Sequence, residues 1–467
     1  MKPILTPIVL IIFKIIFKPA LSQLTLLSVL VMSCLAPAAA RAQADSKFPE
    51  QAEALMKEYV QSELFTGTVL VARNGKSIFR QAYGAANREW VIPNTVKTRY
   101  RIGSITKQFT AAAILQLADE NKLGLDDPIS QYLPGLPTSW GPATIHQLLS
   151  HTSGIPSYTS PDDSDAKLMP VKHTPQELID LLKDVPLNYE HGTKFMYNNM
   201  GYVLLGRIIE TVSGMSYPDY LAQKLLKPLK LRNSGYDDGR IVVGQLAQDY
   251  TDGPDQVVKG RLVNMSNAYA AGAMYSTVDD LFAWQQMLIK GNMLSPAALK
   301  AMFTDGGYHY GLGWFIHQNH SRKLYEHGGN IGAYSSMLAY YPDDKVTIIV
   351  LSNYGDEVVG KITDALARLS LGVAPAHRQV KVDPRLYSRF EGQYELGSAT
   401  FVIRSKGDRL FAQLTGQRQL EIFPESEYRY FYKAVDVVLT FDKDAAGKIA
   451  AVTVDQEGSK TRAKRVD

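Results

Sequence analysis

Cysteine is almost absent from this chain of 467 residues, in which Cys34 is the only one. A single cysteine cannot form a disulfide within one chain, and it argues against a zinc site built from cysteine ligands. A composition of 45% hydrophobic and 21% charged residues excludes wholesale disorder and a fibrous protein. The folded chain must therefore be stabilised by its packed core.

Acidic residues are missing from the first 42 positions. The basic residues there are Lys2, Lys14, Lys18 and Arg41. They are followed by an apolar run over residues 24–35 and by a small-residue pattern over 40–42. Basic residues, an apolar run and a small-residue site in this order are typical of a secretory signal peptide. Cleavage after Ala42 would remove these four of the 50 basic residues and leave 46, equal to the 46 acidic ones. The formal charge of +4 is therefore no evidence for nucleic-acid binding.

Two alternatives to a cleaved signal stay open. Residues 4–17 form a second apolar block, so the segment could be an uncleaved anchor, although each block is shorter than the roughly 20 apolar residues of a spanning helix. Residues 31–34 weakly resemble a lipoprotein signal, in which Met32 fits poorly. We expect an exported bacterial protein, periplasmic or secreted, with membrane attachment only through a retained signal.

Several common functional motifs are also missing. No Gly-x-Ser-x-Gly stretch is present, which disfavours an α/β-hydrolase, and no Walker loop or dinucleotide fingerprint appears. The histidines of the run 317–320 precede a polar turn and are not part of a His-Glu-x-x-His motif. The sequence therefore predicts neither a cofactor nor a metal.

The hydrophobic pattern predicts a mixed α/β region over 45–372, a linker over 373–383 and a small all-β region over 384–467. The predicted helices are 45–62, 103–121, 144–149, 175–182, 201–212, 277–288 and 357–370. The predicted strands are 68–72, 77–83, 311–316, 335–341 and 345–353, with the first two joined by an Asn-Gly hairpin turn at 74–75.

Ser104 and Lys107 lie three residues apart at the start of an apolar helical run, so their side chains share one helix face. A serine hydroxyl becomes a nucleophile when a base takes its proton, and a desolvated lysine can be that base. The amides at the helix N-terminus could stabilise an oxyanion. Ser-x-x-Lys is by itself a weak signal, because it occurs by chance in chains of this length.

Two further stretches carry polar chemistry. Tyr197-Asn198-Asn199 precedes another apolar helical run. The tyrosine could shuttle a proton, and the Asn199 side chain offers a hydrogen-bond donor and an acceptor. Such a tripeptide is also typical of a capped helix start. His327 is followed by two glycines that would allow a ligand to approach the backbone closely. A lone histidine is more often structural than catalytic.

The order Ser-x-x-Lys, Tyr-x-Asn, His-x-Gly resembles the serine β-lactamase and penicillin-binding protein superfamily. The most similar branch contains class C β-lactamases, D-Ala-D-Ala carboxypeptidases of the class C type and related esterases. Supporting stretches are residues 148–154, 271–277 and 310–314. The C-terminal region resembles, less specifically, the lipocalin-like β domain that is often appended to this branch.

The resemblance implies a penicillin-recognising fold of class α/β (α+β), in which helices flank an antiparallel sheet and a helical subdomain is inserted. It further implies that Ser104 is the acylated nucleophile and that Lys107 and Tyr197 form the proton relay.

The substrate-binding residues follow from the same resemblance. Asn199 would bind the amide on the acyl side of the substrate, and His327 with Gly329 would line the edge strand. The backbone amides of Ser104 and Asn330 would form the oxyanion hole.

One departure from the family pattern bears on function. Most β-lactamases have lysine where this chain has His327, and a histidine is mostly neutral at pH 7. If its charged form bound a substrate carboxylate, KM would rise with pH through its titration. This departure disfavours an efficient β-lactamase.

We therefore expect a serine hydrolase acting on a D-amino-acid peptide, of carboxypeptidase or aminopeptidase type, with a small-molecule or peptidoglycan-derived substrate. The alternatives are an esterase or weak β-lactamase, or, in another class, a penicillin-recognising sensor without turnover or a wall-associated binding protein.

Overall fold

The computed structural model describes residues 46–159, 168–253, 256–291, 293–355, 357–417, 419–456 and 458–466. The predicted signal peptide over 1–42 and Cys34 lie outside the described residues. The chain divides into one compact unit that ends at residue 53 and a second that covers 54–467. Within the described residues, no helix combines the length and apolarity needed to cross a bilayer.

The first thirteen strands lie before residue 353. They are β1 (Gly67–Arg73), β2 (Lys76–Tyr83), β3 (Ala85–Asn87), β4 (Ile92–Pro93), β5 (Tyr100–Arg101), β6 (Gly235–Tyr236), β7 (Tyr250–Asp252), β8 (Val257–Lys259), β9 (Met274–Ser276), β10 (Phe315–Asn319), β11 (Arg322–Ile331), β12 (Tyr334–Tyr341) and β13 (Val346–Ser352).

The α-helices alternate with these strands. They are α1 (residues 46–61), α2 (Thr106–Asp119), α3 (Ile145–Leu149), α4 (Pro175–Leu182), α5 (Asn199–Ser213), α6 (Tyr217–Tyr220), α7 (Met265–Gly272), α8 (Val278–Ile289), α9 (Pro296–Met302) and α10 (Glu357–Leu371). A 3-10 turn over Gly103–Ile105 leads into α2.

The main sheet is antiparallel with the order β10-β11-β12-β13-β1-β2. Its central strands β13 and β1 are buried along their whole length. The predicted Asn74-Gly75 hairpin joins β1 to β2, and both residues have positive φ (52° and 74°), as a type I′ turn requires. The helices α8 and α10 pack against the sheet, while α2, α5 and α7 pack together in the helical part.

Residues beyond 390 form a closed antiparallel barrel. Its strands are β14 (Gly392–Leu396), β15 (Ala399–Lys406), β16 (Arg409–Leu414), β17 (Leu420–Pro424), β18 (Arg429–Tyr432), β19 (Val437–Lys443), β20 (Ile449–Gln456) and β21 (Ser459–Arg465). Pairing of Tyr394 with Arg465 closes the barrel, and its core is aromatic and aliphatic. The expected combination of a mixed helix–sheet fold with a C-terminal all-β part is confirmed.

Two features of the sheet differ from the sequence prediction. The strand expected over 311–316 begins only at Phe315, because Gly313 turns the chain tightly against α2 with φ of +80°. A Cβ on Gly313 would lie 2.9 Å from the Lys107 carbonyl oxygen. The strand β11 was not expected from its hydrophobic pattern, since two consecutive glycines weaken the strand signal.

The position of β11 also refines the expectation of an edge strand. It is the second strand of the sheet, and β10 covers it only as far as the pair Phe315 and Glu326. The segment 327–331 therefore continues with a free edge on that side, although the strand as a whole is internal.

The free part of β11 lies directly against the turn that carries Ser104. A Cβ on Gly329 would stand 2.0 Å from the Ile102 carbonyl oxygen, and one on Gly103 would stand 2.8 Å from the Asn330 amide nitrogen. The Ser336 hydroxyl on β12 lies within hydrogen-bonding distance of the carbonyl oxygens of both Ile102 (2.9 Å) and Gly329 (3.0 Å). Glycine is thus required where the two backbones meet.

We expect Gly329→Ala to lower the free energy of unfolding by about 1–3 kcal/mol and to slow reaction at Ser104, because the added methyl forces β11 away from the turn. Gly328→Ala is the matched control, since its Cβ would meet the flexible end of Met337 at 3.3 Å and the Ser336 carbonyl oxygen at an ordinary contact distance of 3.5 Å. Thermal unfolding and β-lactam labelling of both variants provide the measurement. Equal effects of the two substitutions would contradict the packing argument.

Candidate active site

Ser104 and Lys107 meet at the N-terminal end of α2. Ser104 lies in the 3-10 turn before the helix, and Lys107 is the second residue of the helix itself. The Lys107 Nζ atom is 3.0 Å from the Ser104 Oγ atom. The predicted one-face arrangement of hydroxyl and amine is therefore present in the structure.

The amine of Lys107 is fully buried and has three oxygen neighbours. Besides Ser104 Oγ, it lies 2.7 Å from Asn199 Oδ1 and 2.9 Å from the Ala271 carbonyl oxygen. The Ala271 carbonyl is free to accept because it belongs to the last turn of α7. Burial lowers the pKa of Lys107 well below its usual value.

The burial of Lys107 favours an uncharged amine, which this arrangement can accommodate. A neutral amine has two N–H bonds, which Asn199 Oδ1 and the Ala271 carbonyl can accept, and one lone pair. The lone pair is then available to the Ser104 hydroxyl. Lys107 is thus placed to act as a base towards Ser104.

The aromatic ring of Tyr197 also lies close to the Lys107 amine, with its centroid 4.8 Å from Nζ. Its hydroxyl is buried and makes no hydrogen bond to another described residue. Burial raises the pKa of Tyr197, while the neighbouring Ser104 hydroxyl opposes that rise. Tyr197 is therefore a neutral phenol that faces Ser104 without a competing protein partner.

Asn198 and Asn199 have different roles in the structure. Asn198 caps α5, because its side-chain oxygen accepts the Gly201 amide at 3.1 Å. Asn199 holds Lys107 through its oxygen and donates through its amide nitrogen to Thr159 Oγ1 at 2.8 Å. The tripeptide is therefore both a capped helix start and a part of the polar site.

His151 lies in the supporting stretch 148–154 but was not among the predicted site residues. Its Nδ1 atom accepts the Asn198 amide at 3.1 Å, and its carbonyl oxygen accepts the Met196 amide at 3.0 Å. Its ring centroid is 4.4 Å from that of Tyr197. Its Nε2 atom is buried without a hydrogen-bond partner among the described residues. His151 thus fixes the backbone on both sides of Tyr197.

His327 is buried, and both of its ring nitrogens are occupied by the protein. Nδ1 donates to the Gly328 carbonyl oxygen at 2.6 Å, and Nε2 accepts from the Tyr310 hydroxyl at 3.1 Å. Burial, with a smaller contribution from Lys107, lowers the pKa of His327 to about 3. A positively charged His327 that binds a carboxylate is therefore not what this environment provides.

Asn330 follows on the free part of β11 and is exposed. Its amide nitrogen lies next to Gly103, and the Ser104 nitrogen would be 2.7 Å from a Cβ on Gly329. The two amides assigned to an oxyanion hole are thus brought to the same place by the contact between β11 and the turn. All seven predicted site residues lie around this contact.

Two pockets meet at Ser104. The larger, of about 540 Å³, runs along β11 and β12 towards α10 and has Tyr197, His327 and Met337 in its wall. The smaller, of about 200 Å³, extends towards Asn199 and Arg261. We call them the β11 pocket and the Asn199 pocket. Ser104 and Asn330 line both, so a reacting carbonyl at Ser104 would extend into each.

Comparison with known proteins identifies the family of this site. The Beta-lactamase family model matches residues 52–372, and a domain of unknown function (DUF3471) matches residues 376–465. The chain belongs to the Beta-lactamase family. It is accordingly a serine hydrolase related to penicillin-binding proteins, as the motif order predicted.

Several known proteins resemble much of the chain. Penicillin-binding protein 4* of Bacillus subtilis is 30% identical over 422 residues, which cover 82% of this chain and 91% of that protein. A solved octameric penicillin-binding protein homologue from Pyrococcus abyssi has 28% identity and a TM-score of 0.64, covering 89% of this chain and 98% of that one. A D-stereospecific amidohydrolase from Streptomyces has 30% identity and a TM-score of 0.56, covering 67% and 94%.

Other histidines of this β-lactamase-family protein have structural partners. His317 pairs with Glu326 at 3.1 Å, and His320 pairs with Asp364 at 2.7 Å. His191, for which no role was predicted, lies against the carbonyl oxygens of Ser153 and Ser139. In the described part of the chain, no group of His, Cys, Asp and Glu is arranged to hold a metal.

The pKa of His327 leads to a prediction about pH. Because that pKa is about 3, His327 is neutral above it, and KM should show no inflection from this residue between pH 5.5 and 8.5. KM measured over this range for the wild type and for His327→Asn provides the check. An inflection that disappears in His327→Asn would show that the histidine does titrate there.

The contacts of His151 lead to a second prediction. We expect His151→Phe to slow acylation of Ser104 at least tenfold, roughly the consequence of 1.4 kcal/mol, because the buried Asn198 amide loses its acceptor and Tyr197 loses its support. Acylation is measured well below the melting temperature of the variant. The control is His146→Phe on α3, an exposed position. Unchanged acylation in His151→Phe would rule out this positioning role.

Proposed function

We propose that this protein hydrolyses an amide or ester of a D-amino-acid derivative through an acyl-enzyme on Ser104. The observation that carries the proposal is the buried amine of Lys107 between Ser104 Oγ, Asn199 Oδ1 and the Ala271 carbonyl oxygen. Such an amine is activated by desolvation and already contacts the hydroxyl that it would deprotonate.

The reaction would proceed in two steps. Ser104 Oγ attacks the substrate carbonyl carbon while its proton passes to Lys107, directly or through Tyr197, and the amides of Ser104 and Asn330 stabilise the oxyanion. The bond to the leaving nitrogen or oxygen then breaks, and that atom takes a proton from the relay. Water attacks the acyl-enzyme and gives up a proton to the same relay, which releases the acid and restores Ser104.

The β11 pocket favours a leaving group without charge. Tyr197 lines this pocket, so the atom that it would protonate leaves there. Among the described residues that line the pocket, none is acidic or carries a lysine or arginine charge, and both nitrogens of His327 are occupied. A free carboxylate on the leaving group would find no cation, which favours an amidase, aminopeptidase or esterase over a carboxypeptidase.

The D-stereospecific amidohydrolase among the similar structures supports the same substrate class. The N-terminal sequence pattern supports our further proposal that the protein is exported and encounters its substrate outside the cytoplasm, where a peptidoglycan-derived peptide is a candidate. We do not assign nucleic acid as a partner, because the excess positive charge lies in the proposed signal.

Intact-mass analysis after exposure to benzylpenicillin or a fluorophosphonate tests the nucleophile. We expect a single adduct in the wild type, no adduct in Ser104→Ala, and at least a hundredfold slower labelling in Lys107→Met, because the hydroxyl then lacks its base. An equal adduct in Ser104→Ala would refute the assignment.

Turnover is then measured with D-amino-acid amides, D-amino-acid peptides, short-chain esters and nitrocefin, again with Ser104→Ala as control. Steady release of product from a D-amino-acid amide or an ester agrees with the proposal. Stable acylation without release from any of them would instead indicate a sensor, and preference for a peptide with a free C-terminal carboxylate would indicate a carboxypeptidase.

A further inference from the structure

The two pockets at Ser104 differ in charge. Among the described residues that line them, Arg261 in the Asn199 pocket is the only one with a permanently charged side chain. The other polar side chains of that pocket are uncharged. They are Ser104, Tyr158, Thr159, Asn199, Asn267 and Asn330.

The guanidinium of Arg261 is not used by the fold. Arg261 is exposed and forms no ion pair with another described residue. Asp249 is the carboxylate that a Cβ on Gly260 or Gly332 would meet, and it does not line the pocket. Asp249 is buried and accepts the Ala333 amide at 2.7 Å and the Gln248 side chain at 3.0 Å. The charge of Arg261 is therefore not neutralised by a described residue and is available to a ligand.

The side of the substrate that meets Arg261 follows from the positions of Tyr197 and Asn199. Tyr197 lines the β11 pocket, where the leaving group would depart, and Asn199 lines the other pocket. The acyl part of the substrate, which stays on Ser104, thus extends past Asn199 towards Arg261. A guanidinium there matches a carboxylate better than any uncharged group.

We propose that Arg261 selects substrates whose acyl part carries a carboxylate, so that the enzyme prefers an anionic acyl group joined to an uncharged leaving group. Peptides with an acidic residue or a succinyl-like group on the acyl side belong to this class. The inference rests on the proposed acyl-enzyme function and adds the charge of the substrate to it.

Two penicillins provide a matched pair of probes. Carbenicillin carries a carboxylate on its acyl side chain, which benzylpenicillin lacks, while the ring carboxylate is common to both. We expect the ratio of their second-order acylation rate constants, carbenicillin over benzylpenicillin, to fall about tenfold in Arg261→Gln, to recover largely in Arg261→Lys, and to fall in the wild type as salt is raised.

The control variant is Arg240→Gln. Arg240 is exposed and lines neither pocket, so this substitution removes the same charge without changing the site.

The same comparison is made with p-nitrophenyl valerate and p-nitrophenyl hydrogen glutarate, in which the leaving group is identical and only the acyl charge differs.

The outcomes separate the two proposals. Adducts on Ser104 whose rate ratio is the same in the wild type and in Arg261→Gln would overturn the role of Arg261 and leave the acyl-enzyme function standing. An equal fall of the ratio in Arg240→Gln would show a general charge effect and also overturn it. Absence of any Ser104 adduct with all four probes would overturn the proposed function and this inference together.

Discussion

The burial of the Lys107 amine is the constraint on which the site depends. A charged amine in an apolar interior is costly, so the surroundings must either neutralise it or pair it. Here no carboxylate is bonded to it, and the three neighbours are the oxygens of Ser104, Asn199 and Ala271. Burial lowers the pKa of Lys107 and so favours the neutral amine, which is the form that can activate a serine.

Holding that amine in place involves three separate parts of the fold. The helix α2 carries Lys107, the start of α5 supplies Asn199, and the end of α7 supplies a carbonyl that has no partner within its own helix. The loop around His151 fixes the start of α5 in turn. The site is therefore preorganised by backbone contacts, which reduces the reorganisation needed during reaction.

The contact between β11 and the Ser104 turn preorganises the predicted oxyanion hole. Gly103 and Gly329 allow the two backbones to approach so closely that no Cβ fits between them. The same strand holds His327 in a buried position beside Ser104. Its side chain lies on the buried face of β11, where Tyr310 and the Gly328 carbonyl occupy both nitrogens and the charged form is destabilised. Among the described residues that line the two pockets, the permanent charge lies instead at Arg261.

The amino-acid sequence alone was sufficient to predict the pairing of Ser104 with Lys107, the longer helices and the strands β1, β2, β12 and β13 of the main sheet. The spacing of Ser104 and Lys107 on one helix face is local, as are the Asn74-Gly75 turn and the caps of the helices, so the pattern was sufficient for them. The lowered pKa values of Lys107 and His327, the contacts of His151 and the place of Arg261 in the pocket could be read only from the folded chain. Those properties depend on burial and on partners far away in the chain, which local spacing does not contain.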